Sequence, residues 1–512
     1  MFGTNKWLVL VATIFGVFMS ALDGTIVTIA LPKLEAVFGA DVHTIQWVIT
    51  GYTLALGVSI PISGWAADRY GIKRVYLISL ALFTLGSVLC GLSFNTGSII
   101  FFRVLQGLGG GPLQPLSLAL LFATFPPEER GLANGVFGIP VLFAPALGPT
   151  LGGYIVQHLS WPIIFFVNVP VGIVGFTLSA LWLRDFVARP GARFDLTGFI
   201  LVGLGLVLVL YALGNGAYDG WGSFHILVSI VVGVLLLVAF VFLELRQSDP
   251  LLDLRLFGQG PFLVASLVLW LTFAGLFGVF FLLPLFLENL RGLQPFDTGK
   301  LLLWQAGITF FVTPISGFLS DRIGPRIPLA VGLTLLALTS WQLGWLCTTT
   351  SGYDLFIVPL ILRGIGLGLT IAPAFTAALG VVREDALPRA SALVNVTTQV
   401  VASLIVAVLV TVLQQNPLQH QARLAESATA NNPGFVTAFN GLVAQFQHGG
   451  LSLGAARGEA IGALYGQLVR LATAEAFRDA LLLTAFLTIP GILLALLVRR
   501  PPRGAVGGGV AL

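Results

Sequence analysis

Charge is what this 512-residue chain has least of: Asp, Glu, Lys and Arg together make up 9% of it, against roughly 25% in soluble domains. So few charges cannot coat a water-facing globule of this size, and hydrophobic residues reach 56%. Cysteine is scarce as well. Cys90 and Cys347 both lie in apolar stretches, which speaks against a disulfide framework and against a cysteine-rich metal site. The five histidines, His43, His158, His225, His420 and His448, fall at outer loops or helix ends, far apart in sequence, so no acid–base or metal cluster emerges. There is no G-x-x-x-x-G-K-[ST] run for a nucleotide, and no cofactor or metal is assigned. The net charge of +4 is a small difference between 26 basic and 22 acidic residues strung among apolar runs, which implies no nucleic-acid face. The chain does not read as an enzyme.

What is present is a succession of long apolar runs. A spanning helix needs about 20 mainly apolar residues, because each turn must satisfy its own backbone where no water is available. The runs predict helices over 7–30, 45–67, 74–93, 98–122, 131–156, 162–183, 195–215, 224–243, 260–288, 298–320, 326–347, 353–380, 389–414 and 478–498. That makes fourteen, an all-α polytopic membrane protein with both termini on one side. The first run is too long for a signal-peptide core and no small-residue cleavage site follows it, so it is expected to stay in the mature protein. Of the 26 Lys and Arg, 17 fall in the loops on the side of the termini and seven in the opposite loops, while Arg103 and Arg363 lie within helices. The positive-inside rule then makes both termini cytosolic, in the plasma membrane. The loop 415–477 falls outside, and its stretches 435–446 and 455–475 predict amphipathic helices lying on the surface. The tail 499–512 is expected to be flexible.

Residues 61–71, PISGWAADRYG, match residues 314–324, PISGFLSDRIG, at seven of eleven positions, and Gln106–Gly109 aligns with Arg363–Gly366 at nearly the same offset. The chain therefore divides into two related six-helix bundles, 1–190 and 259–498, joined by an inserted pair of helices within 191–258. Internal repeats with a site between two rocking bundles are the architecture of secondary transporters.

Asp23 is the only acidic residue well inside a predicted span, and an ionisable group in hydrocarbon is a functional candidate by default. Thr13, Gly16, Ser20, Gly24 and Thr28 recur around it every three or four residues, so a small, polar stripe of this helix is expected to face a wet cavity. Asp23 lies roughly 24 Å from the cytosolic end of its helix, and Arg103 roughly 8 Å into a helix entering from the other side. In a core of about 30 Å the two depths coincide. Asp23 and Arg103 are thus the candidate proton-coupling pair; the plainer reading is a static ion pair joining two helices. Gly64, Asp68, Arg69, Gly71 and Arg74 sit at a cytosolic turn, where an acid against a helix N-terminus can latch one conformation. Asp321 and Arg322 repeat the arrangement. Simple positive-inside anchoring is the alternative for the basic residues. Gly135, Gly148, Pro149, Gly152 and Gly153 make the fifth span a surface for close helix approach, with ordinary packing as the competing reading.

These residues resemble the signatures of the major facilitator superfamily, in particular its fourteen-helix drug:proton antiporters, over nearly the whole chain. The first-helix pattern L-D-x-T-I-V-N-x-A-L-P appears as Leu22 to Pro32, with Thr28 in place of Asn. The loop motif G-x-x-x-D-R-x-G-x-[KR]-[KR] is complete from Gly64 to Arg74, and R-x-x-Q-G-x-G is complete at Arg103, Gln106, Gly107 and Gly109. The antiporter motif G-x8-G-x3-G-P-x2-G-G reads Gly135, Ala144, Gly148, Pro149, Gly152, Gly153, with Ala for the second Gly. F-x-x-N-x-P-x-G at Phe165 to Gly172, R-F-D at Arg193 to Asp195 and P-L-x-D-L-R-L-F at Pro250 to Phe257 add to the likeness.

The resemblance implies a major facilitator fold and export of hydrophobic, often cationic, small molecules in exchange for protons, with Arg103 taking part in the coupling. The partners expected are such a substrate, protons and the lipid bilayer, with a possible adaptor protein. Gln106, Trp270, Trp304, Trp341 and Arg363 are the candidate substrate contacts, and each tryptophan has lipid-facing packing as its alternative. Glu288 is a rim acid able to attract a cation. The rival function is a transporter of the same fold for one metabolite, as antiporter or importer.

Overall fold

The computed structural model describes residues 5–184, 194–247, 250–426, 428–429 and 431–498, without the side chains of residues 42, 43, 142, 145, 146, 149 and 295. Arg189, Arg193, Arg499, Arg500, Arg503 and the tail 499–512 lie outside the described residues. Among the described residues the secondary structure is entirely helical. The first half holds α1 (Lys6–Phe38), α2 (Val42–Tyr70), α3 (Ile72–Gly91), α4 (Thr96–Gly110), α5 (Leu113–Thr124), α6 (Arg130–His158), α7 (Ile163–Phe166) and α8 (Asn168–Trp182). Next come α9 (Leu196–Asp219) and α10 (Phe224–Glu244). The second half holds α11 (Gly260–Leu285), α12 (Pro295–Ile323), α13 (Arg326–Leu346), α14 (Ile357–Leu379), α15 (Leu387–Glu426), α16 (Pro433–His448) and α17 (Leu453–Leu497).

Local chemistry fixes the helix ends. Asn5, Asp41 and Asp195 accept backbone N–H bonds from the first turns of α1, α2 and α9, and Asn95 with Ser98 forms a reciprocal cap on α4. Gly71 and Gly324 both take a φ of 91°, which side chains with a Cβ resist, so the repeat turns after α2 and α12 have matching backbones.

The repeat is also visible in packing. In the first half α4 packs on α2 and α3, while α8 packs on α1 and α3; in the second half α14 packs on α12 and α13, while α17 packs on α11 and α13. Between the halves α6 lies along α12, and α15 lies against α2 and α5. The pair α9–α10 sits over the second of these seams, with α9 touching both α2 and α15 and α10 outermost. Leu210 of α9 fills the space left by Gly57, and Trp221 Nε1 donates to Thr411 Oγ1 at 2.8 Å.

The structure departs from the sequence reading in three places. The span expected over 98–122 breaks at Gly111–Pro112, where Pro112 has no N–H to donate; Gly111 lets α2 approach closely, since a Cβ there would fall 2.0 Å from Ser59 Oγ. The span expected over 162–183 starts as the short α7 and restarts at Asn168. The outer loop 415–477 is largely helical, and 455–475 is no surface-lying helix: it is the continuous first half of α17. At about 1.5 Å per residue, α15 and α17 run to about 60 and 67 Å, twice a hydrocarbon core. α16 packs on the projecting part of α17 through Val443, Ala456 and Ala460. His420, held between Glu475 at 3.1 Å and Asp479 at 2.7 Å, ties α15 to α17 above the bundle.

Twelve helices among the described residues are long and apolar enough to cross a membrane. The broken pair α4–α5 and the glycine-rich α6 are not among those twelve.

The seam between α6 and α12 depends on missing side chains. A Cβ on Gly317 would lie 2.0 Å from the Gly131 carbonyl oxygen, and one on Gly135 would lie 2.6 Å from the Thr313 carbonyl. A Cβ on Gly153 meets nothing within 4 Å. Gly317→Leu is therefore expected to destabilise the bundle by about 1–3 kcal/mol or more, lowering the detergent-solubilised melting temperature by several degrees. Gly153→Leu should leave it within a degree. Equal melting temperatures for the two variants would show that the seam is not close-packed.

Candidate functional site

The polar centre of the first half is built by five helices around Asp23, which is fully buried. Arg103 Nη1 donates to Asp23 Oδ2 at 2.5 Å, while Gln106 Nε2 and Asn168 Nδ2 each donate to Oδ1 at 2.9 Å. Ser87 Oγ receives the same two amide nitrogens at 3.1 and 3.0 Å and donates to the Phe165 carbonyl at 2.9 Å. Arg103 Nε reaches the Val48 carbonyl at 2.9 Å, and the guanidinium lies over the Tyr52 ring at 4.0 Å. A buried carboxylate is tolerable because both of its oxygens meet donors. Removing one member of such a pair typically costs about 3–5 kcal/mol, since the other charge is then stranded.

Sequence reasoning expected Asp23 and Arg103 to face one wet cavity. The structure brings the two together, but seals them away from the cavity behind Tyr52 and Ser20, whose hydroxyls lie 3.4 Å apart. Of the expected polar stripe, Ser20 and Gly24 line the cavity, whereas Thr13 is buried, donating to Leu10, and Gly16 packs on Tyr76. α6 grips the next turn of α1: a Cβ on Gly148 would lie 2.1 Å from Thr25 Oγ1, and one on Gly152 would lie 3.0 Å from Ile26. Those two glycines thus set the distance between α6 and the Asp23 segment, and Gly135 sets the distance to α12. Gly153 makes no comparable contact, and the side chain of Pro149 lies outside the described residues.

The cavity itself has a volume of about 380 Å³ and lies between the halves, within the size range of small-molecule sites. From the first half it is lined by Ser20, Tyr52, Thr53, Leu56, Gln114 and Pro115, and from the second by Phe273, Phe277, Phe280, Gln305, Thr398 and Gln399. None of the expected contacts Gln106, Trp270, Trp304, Trp341 and Arg363 lines it. Gln106 is consumed by Asp23. Trp270 bonds Thr397 at 3.3 Å, and Trp304 and Trp341 are about half exposed on the outside of the bundle, at 50% and 53%. Arg363 is fully buried behind the wall. The phenylalanines that do line the cavity share one face of α11, at 273, 277 and 280; that spacing was legible, but nothing in one helix says which face turns inward.

At one end of the cavity the halves are latched, and this is the end that carries most of the basic loops. Arg389 Nε donates to the buried Asp68 carboxylate at 2.7 Å, and Gly64 lets the Arg389 backbone approach so closely that a Cβ would lie 3.1 Å from its Cα. Across the pseudo-twofold, the Asp321 carboxylate accepts the Gly131 and Leu132 backbone N–H groups, both at 2.9 Å, at the positive end of α6. Arg130 reaches Glu384 at 3.2 Å, and Ser391 Oγ donates to the Pro115 carbonyl at 2.8 Å, closing the cavity floor. Gly71 supplies the turn. Arg69 lies 5.7 Å over the Tyr70 ring and the exposed Arg322 lies 4.5 Å over Phe318, while Arg74 sits in the first turn of α3. Sequence reasoning missed Arg389, which looked like one more positive-inside charge.

The sequence profile of the Major Facilitator Superfamily matches residues 13–407. The chain is 31% identical over 499 residues to the uncharacterized MFS-type transporter YhcA of Bacillus subtilis, covering 97% of this chain and 93% of that one. It is 35% identical over 364 residues to the tetracenomycin C resistance and export protein of Streptomyces glaucescens, covering 71% and 68%. It is 29% identical over 513 residues to the multidrug export protein EmrB of Escherichia coli, covering 99% and 98%. Among solved structures, the proton:xylose symporter XylE aligns over 94% of both chains with a TM-score of 0.57 at 12% identity, a likeness of fold.

If Arg389 and Asp68 hold the floor shut, Arg389→Ala opens it. With Cys90 and Cys347 replaced by Ser and a reporter placed by Ser391→Cys, maleimide labelling from the basic end should rise about tenfold in Arg389→Ala, well within the cost of stranding a buried charge. An unchanged labelling rate would remove the latch.

Proposed function

This chain belongs to the Major Facilitator Superfamily, a family of transporters, and we propose that it exports hydrophobic small molecules across the plasma membrane in exchange for protons. The relatives named for drug resistance and export support the export reading. The observation that bears most on the mechanism is the Asp23–Arg103 pair, fully buried in the first half one side chain behind a cavity shared by both halves.

In this reading the bundle has fourteen spans: the twelve apolar helices, the broken α4–α5 taken as one, and α6. The domain limits follow as 1–190, 191–258 and 259–498. The basic end faces the cytosol, so both termini do as well, and the latched floor makes this the state open toward the outside. Tyr52 and Ser20 are the gate between cavity water and Asp23. When they part, a proton reaching Asp23 removes the charge that holds Arg103, and the guanidinium is left to Gln106 Oε1, already at 2.7 Å, and the Val48 carbonyl. The change loosens α4 from α1 and biases the two halves toward releasing the Asp68–Arg389 and Asp321–α6 latches. Substrate leaves the cavity outward before the switch, and the proton leaves inward after it. An inward proton gains about 2.3 kcal/mol per 100 mV, which drives the outward step.

Asp23→Asn keeps the shape of the side chain and one accepting oxygen, exchanges the other for an NH2 donor, and cannot titrate. In proteoliposomes it should reduce pH-gradient-driven efflux to the level of protein-free vesicles while leaving substrate exchange without a gradient measurable. Gradient-driven efflux at the native rate would eliminate Asp23 as the coupling group.

A further inference from the structure

The cavity is polar without being charged. Its hydrogen-bonding groups are the amides of Gln114, Gln305, Asn395 and Gln399 and the hydroxyls of serine, threonine and tyrosine; among the described residues no Asp, Glu, Lys, Arg or His belongs to its lining. Glu288, the rim acid, lies in the turn Phe286–Leu290 and outside that lining. The charges nearest to the cavity stand one layer behind it, and the two halves differ sharply in them.

In the first half, Arg103 is balanced by Asp23. In the second half, Arg363 stands at the repeat position of Gln106, fully buried, and no carboxylate pairs with it among the described residues. Its Nη1 donates to Ser340 Oγ at 2.8 Å and its Nη2 donates to the Gly275 carbonyl, but its Nε has no hydrogen-bond partner. An isolated buried guanidinium is costly and calls for a reason. Its position supplies one. Gly275 is followed by Leu276 in the cavity wall, and the next residue along α14, Gly364, accepts from Thr309 at 3.0 Å and packs on the Gln305 carbonyl, both wall residues. In surroundings of low dielectric, one uncompensated positive charge so close behind the wall is screened weakly and dominates the local potential.

We infer that Arg363 sets the charge selectivity of the cavity, admitting uncharged and weakly acidic aromatic compounds and excluding permanent cations. The inference rests on the export reading above and names the substrate class. It holds in both protonation states of Asp23: ionised, the first half contributes no net charge, and protonated, it adds the positive charge of Arg103. In neither state does a carboxylate face the substrate. The phenylalanines at 273, 277 and 280 offer ring faces and the amides offer donors and acceptors, which suits a flat, oxygenated aromatic molecule.

The test compares ethidium, a permanent aromatic cation, with 1-hydroxyanthraquinone, an uncharged phenol, in proteoliposomes with the membrane potential clamped at zero and a pH gradient imposed. The native protein should move ethidium at less than one tenth of the rate of the anthraquinone. Arg363→Met should raise the ethidium-to-anthraquinone ratio at least tenfold, a difference of about 1.4 kcal/mol, and Arg363→Lys should keep the native ratio. Gln305→Glu, which adds an acid to the wall without disturbing the buried site, should also raise the ratio and decides the matter if Arg363→Met does not fold. Comparable native rates for the two probes, or an unchanged ratio in the variants that fold, would overturn the inference. The ratio does not depend on the driving force, so failure of proton coupling is separately visible as loss of gradient dependence for both probes. If neither probe moves, the export reading falls and this inference falls with it.

Discussion

One ion pair organises the first half of this molecule. Asp23 and Arg103 come from helices that reach the same depth from opposite ends, and each is tolerable in an apolar interior only because the other is there. Gln106, Asn168, Ser87 and the Val48 carbonyl occupy the remaining hydrogen-bonding positions, so α1, α2, α3, α4 and α8 are all tied to one buried pair of charges. The glycines of α6 matter for the same reason. By letting α6 close on Thr25 and Ile26, Gly148 and Gly152 hold α6 against the turn of α1 that follows Asp23.

The two halves share a backbone plan and differ in their charges. The matching turns at Gly71 and Gly324, with the acids Asp68 and Asp321 three residues before each, place a carboxylate of one half against the first turn of a helix of the other. One acid finds the guanidinium of Arg389, the other finds two backbone N–H groups at a helix start, and both joints close the same end of the cavity. Buried centres do not match in this way. Where one half has a neutralised pair, the other has Arg363 without an acid among the described residues, none of which brings a charged side chain into the cavity between them.

Much of this was legible before any coordinates. Helix positions followed from apolar run length, because a backbone in hydrocarbon has no choice but to satisfy itself, and the repeat at 61–71 and 314–324 announced two halves. Depth arithmetic alone brought Asp23 to Arg103. The breaks at Gly111–Pro112 and before Asn168 were hidden, since a glycine, a proline or an asparagine interrupts an apolar run without ending it. The outer segment misled in the other direction: its polar residues looked like a loop, whereas pairing α16 with α17 lets helices continue well past the apolar stretch.

The sequence by itself determined the chain's membrane class, its family, its repeat and the choice of Asp23 as the candidate acid, because those depend on composition and on spacing along single helices. Only the tertiary structure decided which faces turn inward: that Phe273, Phe277 and Phe280 line the cavity and Trp304 and Trp341 do not, that Asp68 meets Arg389 across 321 residues of chain, and that Gln106 serves Asp23 while Arg363 has no acid to serve. In a chain apolar on nearly every side, helical periodicity carries little information about facing. The choice is made by which small residues allow which helices to approach, and that is a property of pairs of helices, not of any one of them.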